Sequence, residues 1–215
     1  MVTAVIYDLD GTLVDSRADL SDSVNAMLAT LGVPARDERE IWSFIGEGAE
    51  RLVRRSLGAA HEHLFPEAIE QWRIEYSRRL VAKTRPYPGI AELLDAPPAA
   101  RAVLTNKPGG FARDILSGLG LLGKLQGVVG GDEAPKKPDP GGLLRLCSQL
   151  GADPAQTLYV GDSLIDLATG AAAGVPVCAA GWGLGDPEEL RQAGPAHFCS
   201  NPAEVARLLV RLAGV

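Results

Sequence analysis

The stretch Asp8-Leu9-Asp10-Gly11-Thr12 decides the fold of this chain, because it follows directly on a short apolar run at residues 2–7. That run, VTAVIY, is rich in β-branched residues and lacks a clean alternation of apolar and polar positions, which is typical of a strand buried on both faces. Gly11 and Thr12 end the strand, so Asp8 and Asp10 come at its carboxyl end, the edge at which open α/β sheets bind their ligands. Side chains two positions apart in extended backbone share a side, so the two carboxylates start in a common direction.

Two carboxylates this close together indicate a bound cation, and Mg²⁺ prefers one or two carboxylates together with water and a phosphate group. The alternative is a turn in which aspartate side chains accept hydrogen bonds from backbone N–H groups. A calcium loop is excluded, because its sixth position requires Gly and is Leu13 here, and its twelfth requires Glu and is Asp19. Short motifs often occur by chance, so the motif alone leaves the turn and the metal site open.

The composition is that of an ordinary globular protein, since 46% of the 215 residues are hydrophobic and 22% are charged. The formal net charge of −6 predicts no basic face, which argues against nucleic acid and anionic membranes as partners. Cys147, Cys178 and Cys199 are odd in number and fit no metal-ligand spacing, so we expect reduced thiols and a cytoplasmic location. The first acidic residue, Asp8, comes too early for the apolar region of a signal peptide.

Between residues 17 and 83 the pattern predicts helices and no convincing strand. The predicted helices cover 17–31, 37–44, 49–57 and 65–81. A linker stiffened by two prolines, at residues 85–89, leads back to the rest of the chain. We therefore predict a helical insert over residues 16–85 and a main domain formed by residues 1–15 and 86–215.

After the linker, strands and helices alternate along the chain. Alternation of this kind predicts a parallel sheet with helices on both faces, a doubly wound α/β fold. The predicted strands cover 101–104, 127–129, 157–160, 175–178 and 197–199, and the predicted helices cover 111–119, 139–150, a segment ending at residue 173, and 201–212.

Parallel strands place their carboxyl ends at one edge of the sheet, so the polar residues that follow each strand should converge there. These residues are Asp8 and Asp10, Thr105 and Asn106, Asp162, Asp166 one helical turn later, and Lys136-Lys137 before a predicted helix. Carboxylates that hold Mg²⁺, together with a hydroxyl and a lysine that bind an anion, fit a phosphate ester. Asp8 could then act as a nucleophile that forms a phospho-enzyme, and Asp10 could protonate the leaving alkoxide and later activate water.

Four motifs occur in order along nearly the whole chain: Asp8-Leu9-Asp10-Gly11-Thr12, Leu104-Thr105-Asn106, Lys137-Pro138-x-Pro140 and Gly161-Asp162-Ser163-x-x-Asp166. With these motifs the chain resembles the phosphatases of the haloacid dehalogenase superfamily, and most of all their phosphoglycolate phosphatase branch. The resemblance implies a Rossmann-like core with an inserted, all-helical cap that closes over small substrates. It also implies a set of site residues: Asp8 as nucleophile, Asp10 as acid and base, Thr105, Asn106 and Lys137 on the phosphate, Mg²⁺ on Asp8, the Asp10 carbonyl and Asp162, and Asp166 behind these ligands.

The resemblance extends into the helical insert, where it makes Gly46, Gly48 and Arg55 candidates for contact with the substrate. Arg55 falls where the branch often has Arg, and it reads equally well as part of a solvated helix face. Glu47 departs from the neutral polar residue that the branch often carries at this position. The substrate that the resemblance implies is 2-phosphoglycolate, with the phosphate ester of another small metabolite as the alternative.

Three other classes share parts of this pattern. A dehalogenase would lack the second aspartate, because it needs no acid for an alkoxide. A sugar-phosphate mutase would share the fold and the chemistry, but its family usually carries a His soon after the first motif, and none occurs between residues 15 and 30. An inactive phosphate-binding regulatory protein would be expected to have lost a motif residue, and none is lost. The sequence therefore predicts a phosphatase of small phosphate esters, as a monomer or a homodimer.

Overall fold

The structure of the protein, a computed structural model, describes residues 1–97 and 100–214. Its strands are β1 (Ala4–Tyr7), β2 (Val14–Asp15), β3 (Arg85–Pro86), β4 (Ala100–Leu104), β5 (Gly127–Val129), β6 (Thr157–Gly161), β7 (Val177–Ala180) and β8 (His197–Cys199). Six of them form one sheet in the order β5-β4-β1-β6-β7-β8, and all neighbouring strands in it are parallel. The predicted parallel sheet is confirmed.

The strand β1 lies in the middle of this sheet, and all four of its residues are fully buried. Val5 and Tyr7 pack into one hydrophobic cluster and Ile6 into another, because alternate side chains of a strand point to opposite faces of the sheet. Burial on both faces is the reason that the run before Asp8 is continuously apolar.

Helices of the sheet domain lie on both faces of the six-stranded sheet. They are α5 (Ile90–Leu93), α6 (Gly109–Gly118), α7 (Gly141–Gln149), α8 (Leu164–Ala173), α9 (Pro187–Gln192) and α10 (Pro202–Ala213). The cluster around Val5 takes in side chains of α5, α6 and α10, and the cluster around Ile6 takes in side chains of α7 and α8. The doubly wound arrangement is therefore as predicted, whereas α5 and α9 were missed because they are too short to show helical periodicity.

The strand predicted at residues 175–178 begins two residues later, at Val177. Val175 donates its N–H to the carbonyl of Gly170 and so takes part in the turn that caps the end of α8. Pro176 has no N–H to offer to a sheet ladder. The ladder with β6 therefore starts only after the proline.

The segment between β2 and β3 is helical, as predicted, and consists of α1 (Arg17–Thr30), α2 (Glu38–Trp42), α3 (Ala49–Leu57), a 3-10 helix (Ala59–Leu64) and α4 (Phe65–Ser77). The helix predicted to reach residue 81 ends at Ser77, and tighter turns follow, in which Arg79 and Ala82 bond carbonyls three residues back. No helix in residues 1–97 and 100–214 combines the length and the apolar character needed to cross a bilayer.

A two-stranded antiparallel ribbon joins the two ends of this helical insert. Val14 of β2 pairs with Pro86 of β3, and Asp15 pairs with Arg85. The sequence gives no sign of the ribbon, because two residues are too few to show the alternation of a strand. The ribbon lies at the domain boundaries predicted at residues 15/16 and 85/86, which stay a prediction.

Asp19 fastens the base of the helical insert. It lies on α1, is fully buried, and accepts hydrogen bonds from the backbone N–H of Lys83 and Thr84 and from Thr84 Oγ1. One carboxylate thus holds the first helix of the insert to the segment that leaves it. Asp22 on the same helix is partly exposed and pairs with the exposed side chain of Lys83 at 2.7 Å.

We expect Asp19→Ala to lower the free energy of unfolding by about 2–4 kcal/mol, because it leaves buried N–H donors without a charged acceptor. Urea unfolding followed by circular dichroism measures the loss. Asp22→Ala is the matched control and should leave the urea midpoint almost unchanged, since an ion pair that is open to solvent contributes little. Equal losses in the two variants would contradict this role of Asp19.

Candidate active site

The carboxyl ends of β1, β4 and β6 bring polar residues together, because these strands are neighbours in the sheet. Asp8 follows β1, Thr105 follows β4 and Asp162 follows β6, and all three are buried. Lys137 reaches the same place from the chain after β5, where its Nζ lies 2.8 Å from Asp8 Oδ1. Of the residues predicted to converge, these four therefore lie at this edge, whereas Lys136 is exposed and its Nζ lies 3.5 Å from Glu50 Oε2 on α3.

Asp8, Asp162 and Asp166 form a buried acidic cluster, in which one carboxylate oxygen of each lies within 4.8 Å of the others. Lys137 enters the cluster as a cation, with Nζ 2.7 Å from Asp166 Oδ1 in addition to its contact with Asp8. Asp166 Oδ1 also accepts a hydrogen bond from Tyr159 OH at 2.6 Å. Asp166 thus holds Lys137 in position through this ion pair.

The pKa values in this cluster reflect an excess of negative charge. Burial raises the pKa of Asp8 well above its ordinary value despite Lys137, and the nearby carboxylates raise it further. Burial and the neighbouring Asp166 raise the pKa of Asp162 to about 7. Burial alone would also raise the pKa of Asp166, but Lys137 and several hydrogen bonds lower it.

Lys137 remains an ammonium in these surroundings. Burial alone would lower its pKa, but the attraction of Asp166 and Asp8 raises it. One ammonium does not balance three carboxylates. A divalent cation would restore the balance, and carboxylate oxygens are the ligands that Mg²⁺ prefers, so the donor set fits such an ion.

The turn after β1 packs directly against Asp162. Thr12 Oγ1 donates to Asp162 Oδ1 at 3.0 Å, and the N–H of Leu184 donates to Oδ2 at 2.7 Å. Gly11 has a φ of +85°, and a Cβ at this position would lie 2.1 Å from Asp162 Oδ2. A Cβ at Gly183 would lie 2.3 Å from Asp162 Cβ. Both glycines are therefore needed for Asp162 to occupy its place.

Asp10 contacts a different set of residues from Asp8. Its Oδ1 accepts hydrogen bonds from Ser16 Oγ at 2.5 Å and from Lys107 Nζ at 2.6 Å. Ser16 directly precedes α1, but its hydroxyl donates to Asp10 and makes no capping bond to the helix backbone. Lys107 Nζ also donates to Tyr76 OH on α4 at 2.7 Å. Lys107 therefore links the sheet edge to the helical insert.

Lys107 is buried and had not been predicted as a site residue. Burial alone would lower its pKa, but Asp10 and Tyr76 raise it, so the group stays an ammonium. A signal was present in the sequence, because Lys107 follows Thr105 and Asn106 at the end of a strand and is one of five lysines. Its partner on the insert, 31 positions away along the chain, had no such signal.

Asn106 joins three segments through its amide group. Its Oδ1 accepts from the backbone N–H of Lys137 at 2.8 Å, and its Nδ2 donates to the carbonyls of Lys137 and Gly46 at 3.2 and 3.0 Å. The amide thus holds the Lys137 segment and the helical insert at the sheet edge. Thr105 Oγ1, by contrast, accepts one hydrogen bond within residues 1–97 and 100–214, from the N–H of Lys107 at 3.1 Å.

A small cavity lies between the sheet edge and the helical insert, and it leaves about 30 Å³ for the centres of water-sized groups. The sheet edge contributes polar groups to its wall: Asp8, Asp10, Thr105, Asn106 and Lys107. The insert contributes an apolar wall: Leu20, Phe44, Ile45, Gly46, Gly48, Ala49, Leu52 and Trp72. A wider outer cleft of about 340 Å³ shares Ala49, Asn106 and Pro108 with this cavity.

The candidates on the insert divide into two groups. Gly46 and Gly48 lie in the cavity wall, as expected for residues that contact a substrate. Arg55 is absent from the described residues that line the cavity. Its guanidinium is about half exposed, pairs with Glu47 at 2.8 Å and lies over the ring of Phe44 at 5.7 Å. The structure therefore brings Arg55 to Glu47 and not to the acidic cluster.

The protein-family model of the haloacid dehalogenase-like hydrolases matches residues 5–180 of this sequence. This chain is a haloacid dehalogenase-like hydrolase. The hydrolase is 42% identical over 196 residues to the phosphoglycolate phosphatase of Rhodospirillum rubrum, covering 85% of this chain and 81% of that protein. It is 36% identical over 200 residues to the N-acetylmuramic acid 6-phosphate phosphatase of Pseudomonas aeruginosa, covering 91% of this chain and 87% of that protein.

Solved structures match the hydrolase over almost its whole length. The crystal structure of a predicted phosphoglycolate phosphatase from Haemophilus somnus has a TM-score of 0.88 and 30% identity, and covers 96% of this chain and 97% of that one. A haloacid dehalogenase-like family hydrolase from Streptococcus pneumoniae has a TM-score of 0.86 and 25% identity, with coverages of 96% and 98%. The predicted fold class and the predicted family are therefore confirmed.

We expect Gly11→Ala to weaken Mg²⁺ binding by the hydrolase about ten- to a hundredfold, because the new Cβ displaces the Asp162 carboxylate. Isothermal titration calorimetry measures the affinity. Gly32→Ala is the matched control: Gly32 also has a positive φ, of +67°, but nothing lies within 4 Å of a Cβ there. Both variants should lose stability through backbone strain, and only Gly11→Ala should lose the metal. Unchanged affinity in Gly11→Ala would contradict this account.

Proposed function

We propose that this hydrolase is an Mg²⁺-dependent phosphatase that cleaves small phosphate monoesters, with 2-phosphoglycolate as its main substrate. The observation that carries the proposal is the buried Asp8 carboxylate, paired with Lys137 and flanked by Asp162 and Asp166. A carboxylate can attack a phosphate dianion only where positive charge offsets their repulsion. Lys137 and a divalent cation in the acidic cluster would supply that charge.

The two oxygens of Asp8 have different surroundings. Oδ1 accepts a hydrogen bond from the N–H of Leu9 at 2.7 Å and forms an ion pair with Lys137 Nζ at 2.8 Å, whereas Oδ2 has no hydrogen-bond donor among the described residues. In the first step an Asp8 oxygen bonds to phosphorus while the bond from phosphorus to the ester oxygen breaks. Lys137 and Thr105 bind the phosphoryl oxygens during this transfer.

Asp10 is the acid and base of the reaction. Its Oδ1 is bonded by Ser16 and Lys107, so Oδ2 is the oxygen that gives its proton to the leaving alkoxide. In the second step the Asp10 carboxylate takes a proton from water, the water oxygen attacks phosphorus, and Asp8 is released as a free carboxylate. Inorganic phosphate and the alcohol are the products.

Mg²⁺, when bound, withdraws charge from the phosphoryl oxygens and so favours the attack. Asp8, Asp162 and the carbonyl of Asp10 would hold it. Asp166 takes part in bonds to Lys137, Tyr159 and Ser163, which supports its place behind the ligands. A regulatory protein without activity is disfavoured, because the sequence keeps every residue that these steps require.

The size of the cavity supports a two-carbon leaving group. A space of about 30 Å³ for group centres favours a small leaving group such as glycolate over a bulky amino sugar. Several relatives named phosphoglycolate phosphatase point the same way. The relative that is named for N-acetylmuramic acid 6-phosphate supplies the competing substrate, since the outer cleft offers room for a larger group.

The test is phosphate release from 2-phosphoglycolate and from N-acetylmuramic acid 6-phosphate, each with Mg²⁺ and with excess chelator. We expect activity with Mg²⁺ alone and the higher kcat/KM for 2-phosphoglycolate. Full turnover in chelator would refute the metal dependence. A higher kcat/KM for the amino-sugar phosphate would refute the substrate and leave the phosphatase activity standing.

Substitutions of Asp8 and of Asp10 should impair the reaction in different ways. Asp8→Asn should form no phospho-enzyme, because the nucleophile is gone. Asp10→Asn should lose about 10²–10⁴ in rate on 2-phosphoglycolate, whose alkoxide needs protonation, and clearly less on an activated aryl phosphate. Rapid-quench kinetics on both esters measure the difference. Equal losses on the two esters would remove Asp10 from the role of acid.

A further inference from the structure

The ammonium of Lys107 is bound on two sides by groups from different parts of the fold. Lys107 follows β4, and its side chain is only 5% exposed. Its Nζ donates to Asp10 Oδ1 at 2.6 Å and to Tyr76 OH at 2.7 Å. Asp10 belongs to the sheet edge, whereas Tyr76 lies on α4 of the insert. The reaction steps proposed above involve Asp10 and assign no task to Lys107.

Tyr76 is a rigid anchor for this ammonium. It is fully buried, its ring stacks on Trp72 with centroids 5.1 Å apart, and it meets Phe111 edge-on at 5.3 Å. A ring packed on two sides keeps its hydroxyl in one place, because side chains in a close-packed interior occupy fixed rotamers. Lysine carries its charge on a flexible four-carbon stem. The bond to Tyr76 therefore fixes the ammonium of Lys107.

The fixed ammonium restricts the carboxylate of Asp10 in turn. Asp10 Oδ1 accepts hydrogen bonds from both Lys107 Nζ and Ser16 Oγ, whereas Oδ2 has no hydrogen-bond donor among the described residues. Two donors on one oxygen hinder rotation of the carboxylate and so set where Oδ2 lies. Proton transfer needs the two heavy atoms within hydrogen-bond reach of each other, so the rate depends on that position.

A direct contact between Lys107 and the substrate is the rival role, because Lys107 also lines the cavity. An ammonium has three N–H donors, and Asp10 and Tyr76 each accept from this one. The small exposure of the side chain leaves little of it open to a ligand. These features favour an action through Asp10 over a contact with the substrate.

We infer that Lys107 is a positioning residue for the acid step: anchored by Tyr76 of the insert, it orients the Asp10 carboxyl group so that Oδ2 protonates the leaving alkoxide. The proton comes from Asp10, and Lys107 keeps its own. The inference rests on the proposed function, since it requires Asp10 to be the acid. It goes beyond that function by making the proton transfer depend on a residue of the insert.

The test is a double-mutant cycle between Lys107→Met and Asp10→Asn. A residue that acts through another has no further effect once the other is gone. Rapid-quench kinetics under single-turnover conditions measure phospho-enzyme formation from 2-phosphoglycolate, or from N-acetylmuramic acid 6-phosphate if that ester has the higher kcat/KM. We expect Lys107→Met to slow this step about ten- to a hundredfold when Asp10 is present and less than about threefold in Asp10→Asn.

The same step with an activated aryl phosphate, which needs little protonation, should slow clearly less in Lys107→Met. A contact between Lys107 and the phosphoryl group would slow both esters alike, and it would do so whether or not Asp10 is present. Equal slowing on the two esters, or equal slowing in the two backgrounds, would therefore overturn the inference.

Tyr76→Phe tests the anchor without removing a charge or the aromatic ring. We expect it to slow the step about three- to tenfold on the alkyl ester and to have almost no effect in Asp10→Asn. Tyr7→Phe is the matched control, because Tyr7 is equally buried and its hydroxyl has no hydrogen-bond partner among the described residues. It should leave the rate within about twofold, and a loss as large as that of Tyr76→Phe would overturn the inference.

Tyr76→Phe also decides the matter if Lys107→Met fails to fold, which circular dichroism shows. If Asp10→Asn behaves as proposed while Lys107→Met and Tyr76→Phe keep the wild-type rate on the alkyl ester, the inference alone fails. If Asp10→Asn keeps the wild-type rate on both esters, the proposed role of Asp10 fails, and the inference fails with it.

Discussion

The candidate site depends on the buried ammonium group of Lys137. It bonds Asp8 and Asp166 at once, and without it three carboxylates would be buried side by side. Removing one partner of a buried ion pair leaves an uncompensated charge, which is strongly destabilising. The segment that carries Lys137 is therefore fixed twice, by Asp166 at the side chain and by Asn106 at the backbone.

A second buried lysine connects the sheet edge to the helical insert. Lys107 bonds Asp10 on one side and Tyr76 on the other, and Tyr76 stacks on Trp72 in the cavity wall. The position of Asp10, the proposed acid and base, is thereby coupled to the position of the insert. When the element that covers a site also holds one of its catalytic groups, closure of that element over the substrate can complete the site.

Local patterns in the sequence determined the parallel sheet, its helical layers and the identity of the converging residues. A continuous apolar run marks a buried strand because both of its faces are covered, and a polar residue after such a strand reaches the ligand edge whatever the rest of the chain does. Asp8, Thr105 and Asp162 could be named in this way, whereas Lys137 was named from its place before a predicted helix and from the family resemblance. The existence of the helices in the insert followed from periodicity, whereas the end of α4 and the start of β7 did not.

Only the tertiary structure decided which side chains meet across long separations. Nothing near Trp72 in the sequence distinguishes a wall of the cavity from an ordinary core residue, because its helical spacing predicts burial in either case. The pairing of Lys107 with Tyr76, the approach of Gly11 to Asp162 and the capture of Arg55 by Glu47 likewise depend on where whole elements pack. Periodicity carries information on which face of an element is buried, and no information on what that face is buried against.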